Sequence, residues 1–405
     1  MEIRSITLFT EPEFDLKRTA RFFDAARTQF SVPLQTNRVA FPPFPGWWNE
    51  HQTPRDQARE LLARWQDAGA DYLSLGPVQL NHDQRWIERL ADLLGTGGAL
   101  FASAEVADTQ GRIDTARCAA VARLIKTASH LEENGFGNLY FTALANCPPG
   151  SPFFPVAYHR PGEPPSFALA LEAADVALTA IQDAGSLQEA WRNLQQAIEV
   201  EAGKLQEEAD ELARAHDIQF AGVDFSLAPF PEEPRSLAGA LEALGLGHVG
   251  APGSVFAAAF ITDAIDRADF RRCGFSGLML PVLEDAVLAQ RAAEKRITVN
   301  DLLGLAAVCG VGLDTVPLPG DVSEEVLSGV LLDVAALAAR LRKPLTARLM
   351  PLPGLAAGDE VHFDFPYFAD SRVMPLPVAG VDGLLSGDER VEFLSLSPRR
   401  TQDGG

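Results

Sequence analysis

The sequence predicts an α/β fold built on a parallel sheet. Short β-rich runs recur along the 405 residues, with segments of helical periodicity between them. The runs cover residues 4–9, 71–75, 100–105, 138–144, 219–227, 277–282 and 345–350. Hydrophobic residues make up 47% of the chain and charged residues 22%, which is the balance of a globular protein. Strand and helix in alternation are typical of a parallel sheet, either open or closed.

Helix start signals support this alternation. The pairs Ser186–Glu189 and Thr298–Asp301 have the spacing of a capping box. The longest helical pattern, residues 187–216, has apolar side chains near one face and Glu or Gln on the other. Together with residues 167–183 it predicts a helical insertion at about 166–216. We expect this helix to carry a subunit contact in a homo-oligomer, with a dimer favoured.

Charge and composition exclude several classes of protein. The formal charge of −21 would repel both nucleic acid and anionic lipid, so neither is expected as a partner. The acidic start lacks the pattern of a signal peptide, which predicts a cytoplasmic location. The longest apolar stretch, residues 249–261, is too short to cross a membrane. Four cysteines without a C-x-x-C pair indicate reduced thiols.

Prolines and polar residues follow several of the predicted strands. Such loops lie at residues 76–77, 146–155, 228–231, 281–285 and 351–354. In parallel α/β folds the loops beyond the carboxyl ends of the strands build the site, so we expect these residues to converge on a small-molecule ligand. The loop at residues 146–155 is constrained and apolar, and it fits either the wall of a pocket or a subunit contact.

Cys309 lies in a glycine-rich turn at residues 308–314. Gly310 permits a ligand to approach the backbone closely, and Asp314 is placed to orient or deprotonate a neighbour. This pattern indicates a nucleophilic or ligand-contacting thiol. The alternative is a small buried hydrophobic side chain, because free cysteines are among the most buried residues.

Carboxylates follow two of the predicted strands. Glu284 and Asp285 open a helix, and Asp224 ends a strand two residues before Ser226. Paired carboxylates divide acid and base roles or hold a divalent cation. The alternative for Glu284 and Asp285 is that they are first-turn residues favoured by the helix dipole. We assign Asp224, Glu284 and Asp314 to catalysis with Cys309, and Ser226 to substrate binding.

Other charged and polar residues are weaker candidates. His362 and Asp364 alternate on one predicted strand, with Asp370 close behind, which fits a metal site that also includes Asp285 or, alternatively, a solvated strand face. The cofactor is therefore unassigned, with a divalent metal as the candidate. The remaining residues assigned to substrate binding are Gly253, Ser254, Gly310, Arg348 and Arg372, with either arginine as the partner of a substrate carboxylate or phosphate.

Three long motifs carry a resemblance to a known family. They are DFSLAPFP at residues 224–231, CGFSGLMLPVLED at 273–285 and AVCGVGLD at 307–314. The sequence resembles domain of unknown function 711, also called uncharacterised protein family 0210, over nearly its whole length. That family is similar in fold to the pyruvate formate-lyase-like glycyl-radical enzymes. The resemblance implies a closed α/β barrel of about ten strands, with a loop threaded into its centre.

The resemblance also implies a role for one cysteine. In glycyl-radical enzymes the central loop carries a cysteine that becomes a thiyl radical, and Cys309 is its counterpart here. Those enzymes need a radical glycine in an Arg-Val-x-Gly-Tyr-type stretch, whereas this sequence has RVMP at residues 372–375. We therefore expect non-radical chemistry.

These observations predict one α/β barrel domain over residues 1–396 and a flexible tail at 397–405. The favoured function is an enzyme acting on a small anionic metabolite. The first alternative is a regulatory protein that binds the metabolite without turnover. The second is a structural assembly protein that uses the helix at residues 187–216.

Overall fold

Most strands of the computed structural model lie in one central sheet. The structure describes residues 1–396, so the predicted tail at 397–405 lies outside the described residues. The strands are β1 Glu2–Phe9, β2 Leu34–Ala40, β3 Tyr72–Val78, β4 Leu100–Ala107, β5 Arg112–Asp114, β6 Phe141–Ala145, β7 Ser166–Glu172, β8 Gln219–Ala228, β9 Gly312–Pro319, β10 Leu345–Leu352, β11 Glu360–Val361, β12 Ser371–Arg372 and β13 Arg390–Glu392.

The helices cover the outside of this sheet. They are α1 Leu16–Gln29, α2 Pro54–Asp67, α3 Arg85–Leu94, α4 Thr115–Ala128, α5 Ala174–Gln182, α6 Leu187–His216, α7 Leu237–Ala243, α8 Ser254–Arg267, α9 Ala286–Ala293, α10 Val299–Cys309 and α11 Glu324–Leu341. The predicted long helix is α6, and it begins and ends as expected. The capping box predicted at the start of α10 is present in full, since Thr298 and Asp301 each accept from the other's backbone.

The central sheet has eleven strands and mixed directions. Its main path is β8-β7-β1-β2-β3-β4-β6-β10-β9, and β5 and β13 extend it beside β4. Strands β1, β2, β3, β4 and β6 are parallel, as the sequence predicts. Antiparallel pairing at β1–β7 and β6–β10 departs from the all-parallel prediction. The molecule is thus a mixed α/β protein with one large sheet.

Strand β7 corrects the predicted helical insertion. Residues 166–172 were expected to belong to the insertion, but they form a strand that pairs with β1 and β8. Every residue from Phe167 to Glu172 is buried, because the strand is covered on both faces. A strand of this kind has a continuous apolar pattern rather than an alternating one, so periodicity alone did not distinguish it from a buried helix.

Two irregular segments pack against the sheet. The first, residues 146–158, is here called the plug loop; the Pro152 carbonyl accepts from Thr7 Oγ1 at 2.8 Å, and the Ala157 carbonyl accepts from Ser74 Oγ at 2.6 Å. Because these partners lie on β1 and β3, the loop crosses the surface of the sheet. This arrangement favours the pocket-wall interpretation of residues 146–155.

The second irregular segment, residues 272–282, is here called the linking segment. A strand was predicted at 277–282, but the segment forms only isolated bridges, one to β8 and one to β9. Met279 N donates to the Ser226 carbonyl on β8 at 3.2 Å, and Val282 N donates to the Asp314 carbonyl on β9 at 3.0 Å. The linking segment therefore contacts both strands at the ends of the main path.

Two expectations from composition can be compared with the structure. All four cysteines are free thiols, as predicted. Among residues 1–396, no helix combines the length and the apolar character that crossing a membrane requires.

Candidate functional site

A cavity of about 130 Å³ lies between the sheet, the plug loop and the linking segment. Its charged lining residues are Arg4 on β1, Arg38 on β2, Asp314 on β9, Arg348 on β10 and Glu284 just after the linking segment. Pockets for drug-sized ligands begin at about 300 Å³, so this one suits a small molecule.

Sheet register places Arg38 beside two aromatic rings. Arg38 pairs with Tyr72 on β3, and its Cζ lies 5.6 Å from the centroid of that ring. The Phe154 ring on the plug loop lies 5.2 Å from the same atom, which is also within cation–π range. Arg38 Nε donates to Thr36 Oγ1 at 2.9 Å, and Thr36 Oγ1 donates to the Arg4 carbonyl at 2.8 Å. These contacts fix the orientation of the guanidinium.

Arg38 has no carboxylate partner. Arg38 is only 9% exposed. Within residues 1–396, its two terminal nitrogens form no ion pair and no hydrogen bond to protein. Burial, followed by repulsion from Arg4, lowers the pKa of Arg38 to about 9. Since a buried charge is unfavourable without a counter-charge, these nitrogens form a ready contact for an anion.

β-Bulges aim the other charged side chains of the cavity. The register between β1 and β7 shifts around Arg4, which is the extra residue of a bulge. The register between β9 and β10 also shifts, because Asp314 and Thr315 lie opposite Arg348 alone. Thr315 has a φ of 42°, in the left-handed region that β-branched residues rarely adopt. Bulges and strained backbone of this kind are frequent at functional sites.

Arg348 bridges the two carboxylates. Its Nε donates to Asp314 Oδ1 at 2.5 Å, and its Nη2 donates to Glu284 Oε1 at 2.9 Å. The second Glu284 oxygen accepts from Arg4 Nη2, so both of its oxygens are engaged.

The two carboxyl groups have pKa values shifted in opposite directions. Burial alone would raise the pKa of Glu284, but attraction by Arg4 and Arg348 outweighs it and the pKa is lowered. Burial raises the pKa of Asp314, and repulsion from Glu284 adds to this effect against the attraction of Arg348. Neighbouring carboxyl groups whose pKa values are shifted in opposite directions are suited to different roles in proton transfer.

Aromatic side chains form most of the remaining wall. Nine phenylalanine and tyrosine residues line the cavity. Phe101 contacts the rings of Tyr72, Tyr140 and Phe154 edge-on, with centroid distances of 5.3 to 5.5 Å. Phe365 is half-buried. The cavity thus combines an unpaired cation with an apolar, aromatic surface.

A family model covers all of these residues. The model, described as "Uncharacterised ACR (DUF711)", matches residues 2–369 and so includes every charged residue of the cavity. The chain belongs to the DUF711 family. The resemblance inferred from the three sequence motifs is therefore confirmed.

Curated relatives in archaea carry the name UPF0210 protein. One from Pyrobaculum arsenaticum is 38% identical over 67% of this chain and 61% of its own length. A second, from Pyrobaculum aerophilum, is 41% identical over 54% of this chain and 50% of its own length. A third, from Methanopyrus kandleri, is 32% identical over 82% of this chain and 77% of its own length. This DUF711 chain thus spans about half to three quarters of the relatives that it matches.

The structure brings three of the sequence-predicted site residues together. Arg348 contacts both Glu284 and Asp314 in the cavity, although the three are distant in sequence. Cys309 and Asp224 do not line this cavity. The thiol and all three carboxylates were predicted to meet at one site, but only Glu284 and Asp314 line this cavity. A catalytic role for Cys309 and Asp224 stays a prediction.

Asp224 anchors the linking segment to β8. It accepts from Phe275 N at 2.7 Å and from Ser276 N at 2.9 Å, and it also accepts from the Ser226 hydroxyl. Ser226 Oγ in turn accepts from Gly277 N at 3.3 Å. Burial raises the pKa of Asp224 to about 6 despite these hydrogen bonds. Sequence alone did not indicate a structural role for Asp224, because its hydrogen-bond partners Phe275 and Ser276 lie about fifty residues further along the chain.

Cys309 is the last residue of α10 and is 2% exposed. Gly310 follows it with a φ of 105° and ends the helix, so the predicted turn between helix and strand is confirmed. Burial raises the pKa of the Cys309 thiol, which disfavours the thiolate that a nucleophile needs.

Asp285 is the N-cap of α9, one residue before the first turn in which the alternative interpretation placed the Glu284–Asp285 pair. It accepts from Val287 N at 3.1 Å at the start of α9 and from Leu237 N at 2.8 Å at the start of α7. The Ser236 hydroxyl donates to it at 2.5 Å. These contacts occupy both of its oxygens.

The other predicted binding residues lie outside the cavity. Gly253 precedes α8, and Ser254 Oγ donates to the Ala251 carbonyl at 2.6 Å. Arg372 lies on the short β11–β12 pair, where it contacts Glu360 at 2.9 Å.

The metal candidates near the β11–β12 pair are exposed. His362 Nδ1 lies 2.7 Å from Asp370 Oδ1, and both side chains face solvent, as does Asp364. In the described part of the chain, no group of three or more His, Cys, Asp or Glu is arranged to hold a metal ion.

Sequence reasoning missed Arg4, Arg38 and most of the aromatic wall. Both arginines lie within strands rather than in loops after them, and β2 was not predicted at all. A signal was present for Arg4, because it begins the otherwise uncharged β-rich run at residues 4–9.

Proposed function

We propose that this protein binds a small anionic metabolite in the cavity, with Arg38 as the principal contact. The proposal is carried by one observation, the unpaired terminal nitrogens of a buried arginine at an aromatic cavity. A ligand carboxylate or phosphate would supply the missing counter-charge. Charge-assisted hydrogen bonds to a planar guanidinium are among the strongest polar contacts that proteins use.

We further propose that the protein is an enzyme that uses non-radical proton transfer. Asp314 is the proposed proton acceptor, since its raised pKa makes the ionised carboxylate a stronger base, and Arg348 positions it. Glu284 stays ionised between Arg4 and Arg348 and acts as their counter-charge. The same cavity would also serve a regulatory protein that binds the metabolite without turnover, and product analysis distinguishes the two.

A divalent cation fits this cavity poorly. Glu284 has both oxygens engaged by arginines, and Asp314 has one. Three guanidinium groups at the cavity would repel a metal ion. The chemistry proposed here therefore uses side chains of this chain alone.

The sheet is proposed to close into a barrel around the cavity. The main path has nine strands, and the linking segment would be the tenth, because it hydrogen-bonds to both β8 and β9. Closure would explain why Arg4 on β1 and Arg348 on β10 contact the same carboxylate. The likeness to glycyl-radical enzymes in fold stays a prediction.

Arg38→Met tests the proposed anion site. Binding of small carboxylates and phosphates to full-length protein would be screened by thermal shift and quantified by titration calorimetry. We expect Arg38→Met to weaken binding at least about 100-fold, since a bidentate charge-assisted contact contributes about 3 kcal/mol. Arg372→Met, on the exposed β11–β12 pair, is the matched control and should bind normally. Equal affinity in wild type and Arg38→Met would refute the proposal.

A further inference from the structure

The ligand class of the cavity follows from its charge. Among its lining residues, three arginines (Arg4, Arg38, Arg348) face two carboxylates (Glu284, Asp314), so 3 − 2 leaves one positive charge without a partner when both acids are ionised. Nearby Glu172 does not supply it, because Glu172 is ion-paired with Arg235. A monoanion would leave the cavity neutral, whereas a dianion would leave a buried negative charge.

The geometry around Arg38 restricts how an anion approaches. The rings of Tyr72 and Phe154 contact the guanidinium, and Nε is occupied by Thr36. The two terminal nitrogens therefore remain as a pair of donors in one plane. A carboxylate has two oxygens in one plane with matching spacing, and it accepts two parallel hydrogen bonds from such a pair.

The body of the ligand must suit an aromatic wall. Phe101 and Tyr140 extend the aromatic surface beyond Phe154, and Phe365 also lines the cavity. Flat apolar groups pack against such rings in offset or edge-on arrangements and are removed from water there. A short, fully polar anion would leave this surface unused.

A second polar group of the cavity has a free atom. Asp314 Oδ1 accepts from Arg348, whereas within residues 1–396 no hydrogen bond to protein engages Oδ2. This oxygen is available to accept a hydrogen bond from a hydroxyl of the ligand. The cavity therefore presents two points of polar recognition, one cationic and one carboxylic.

We infer that the natural ligand is a monocarboxylate with a flat apolar body, which carries a hydroxyl group that donates to Asp314. This inference rests on the proposed anion site at Arg38 and specifies its ligand. It predicts a ranking of probe anions that charge alone would not produce.

Titration calorimetry with four probes tests the ranking. Benzoate, cyclohexanecarboxylate, acetate and phenyl phosphate would be titrated into full-length protein at pH 8, where phenyl phosphate is a dianion. We expect benzoate to bind at least tenfold more tightly than acetate and phenyl phosphate, with cyclohexanecarboxylate between benzoate and acetate. Phe365→Leu should weaken benzoate at least threefold and leave acetate unchanged. Phe256→Leu, at an exposed position on α8 outside the cavity, is the control and should change neither.

The outcomes separate this inference from the proposed function. If acetate and benzoate bind equally and both need Arg38, the anion site stands and the aromatic ligand class is wrong. Tighter binding of phenyl phosphate than of benzoate would overturn the monocarboxylate class in the same way. If no probe binds, or if binding survives Arg38→Met, both proposals fail.

Discussion

Arg348 and Arg38 lie at the same cavity but differ in their partners. Arg348 neutralises Asp314 and shares Glu284 with Arg4, whereas Arg38 is unpaired. Removal of a partner from a buried ion pair typically destabilises by about 3–5 kcal/mol, because a buried charge is left uncompensated. We expect Arg348→Met to lower the free energy of unfolding by about that amount.

Arg38→Met should instead leave the free energy of unfolding unchanged or raise it, since the substitution removes an unpaired buried charge. Urea denaturation of the two variants beside wild type checks this contrast. A similar loss of stability in both would mean that Arg38 is as fully compensated as Arg348.

Glu105 predicts a pH dependence of stability. Burial raises its pKa to about 7, against hydrogen bonds from Leu80 and Gln79. The pKa is thus higher in the folded than in the unfolded protein. The stabilising contribution is fully present below the unfolded pKa and is lost as pH rises through about 7. The total loss is about 3 kcal/mol.

Glu105→Gln removes this titration. Relative to wild type, the variant should gain about 3 kcal/mol in free energy of unfolding between pH 4 and pH 8. Chemical denaturation at both pH values measures the change, with Glu88→Gln at an exposed position on α3 as the control. If wild type and Glu105→Gln differ in free energy of unfolding by the same amount at pH 4 and pH 8, the raised pKa assigned to Glu105 is wrong.

At the scale of elements, α6 has two faces with different expected sensitivities. Leu205 is 1% exposed on the buried face, whereas Val200 is 48% exposed. Leu205→Ala should lower the free energy of unfolding by about 2–4 kcal/mol through lost burial and a residual cavity. Val200→Ala should change it by less than about 0.5 kcal/mol. Both variants should bind the ligand normally, and loss of binding in either would indicate that α6 supports the cavity.

The elements differ in how well sequence predicted them. Helix α6 and the capped start of α10 were predictable because amphipathic period and caps are local properties. Strands β2, β7 and β9 were not predicted. β7 is buried on both faces, β9 contains a bulge at Asp314, and β2 has consecutive polar residues at 35–38, so none has a simple alternating pattern.

The site was predictable only in part, since Glu284, Asp314 and Arg348 were singled out whereas Arg4 and Arg38 were not. Glu284 and Asp314 were singled out by their position in polar segments of the sequence. Arg4 was missed because its placement depends on a bulge in the pairing of β1 with β7, which is a non-local property. Asp224 was assigned to chemistry although its contacts hold the linking segment. Register and bulges therefore limit such prediction more than the identification of elements does.

At the scale of the molecule, the proposed closure of the sheet would depend on close backbone contact at Gly277. A Cβ at this position would lie 2.4 Å from the Cys309 carbonyl, so Gly277→Ala must displace the linking segment. We expect a loss of about 1–3 kcal/mol in free energy of unfolding. Gly304→Ala in α10 is the control, since nothing lies within 4 Å of its Cβ. That variant should gain about 0.5–1 kcal/mol from helix propensity.

Hydrogen exchange of Gly277→Ala distinguishes a closed barrel from an open sheet. Backbone N–H groups of the linking segment donate to the Ser226 carbonyl on β8 and to the Asp314 carbonyl on β9. Both hydrogen bonds are lost if the segment moves. In a closed barrel both strands should lose protection together, because each then becomes a free edge. In an open sheet, the loss of protection should be confined to β9 and the adjoining turn after Cys309. Protection lost on β9 alone would therefore refute closure while leaving the anion site at Arg38 intact.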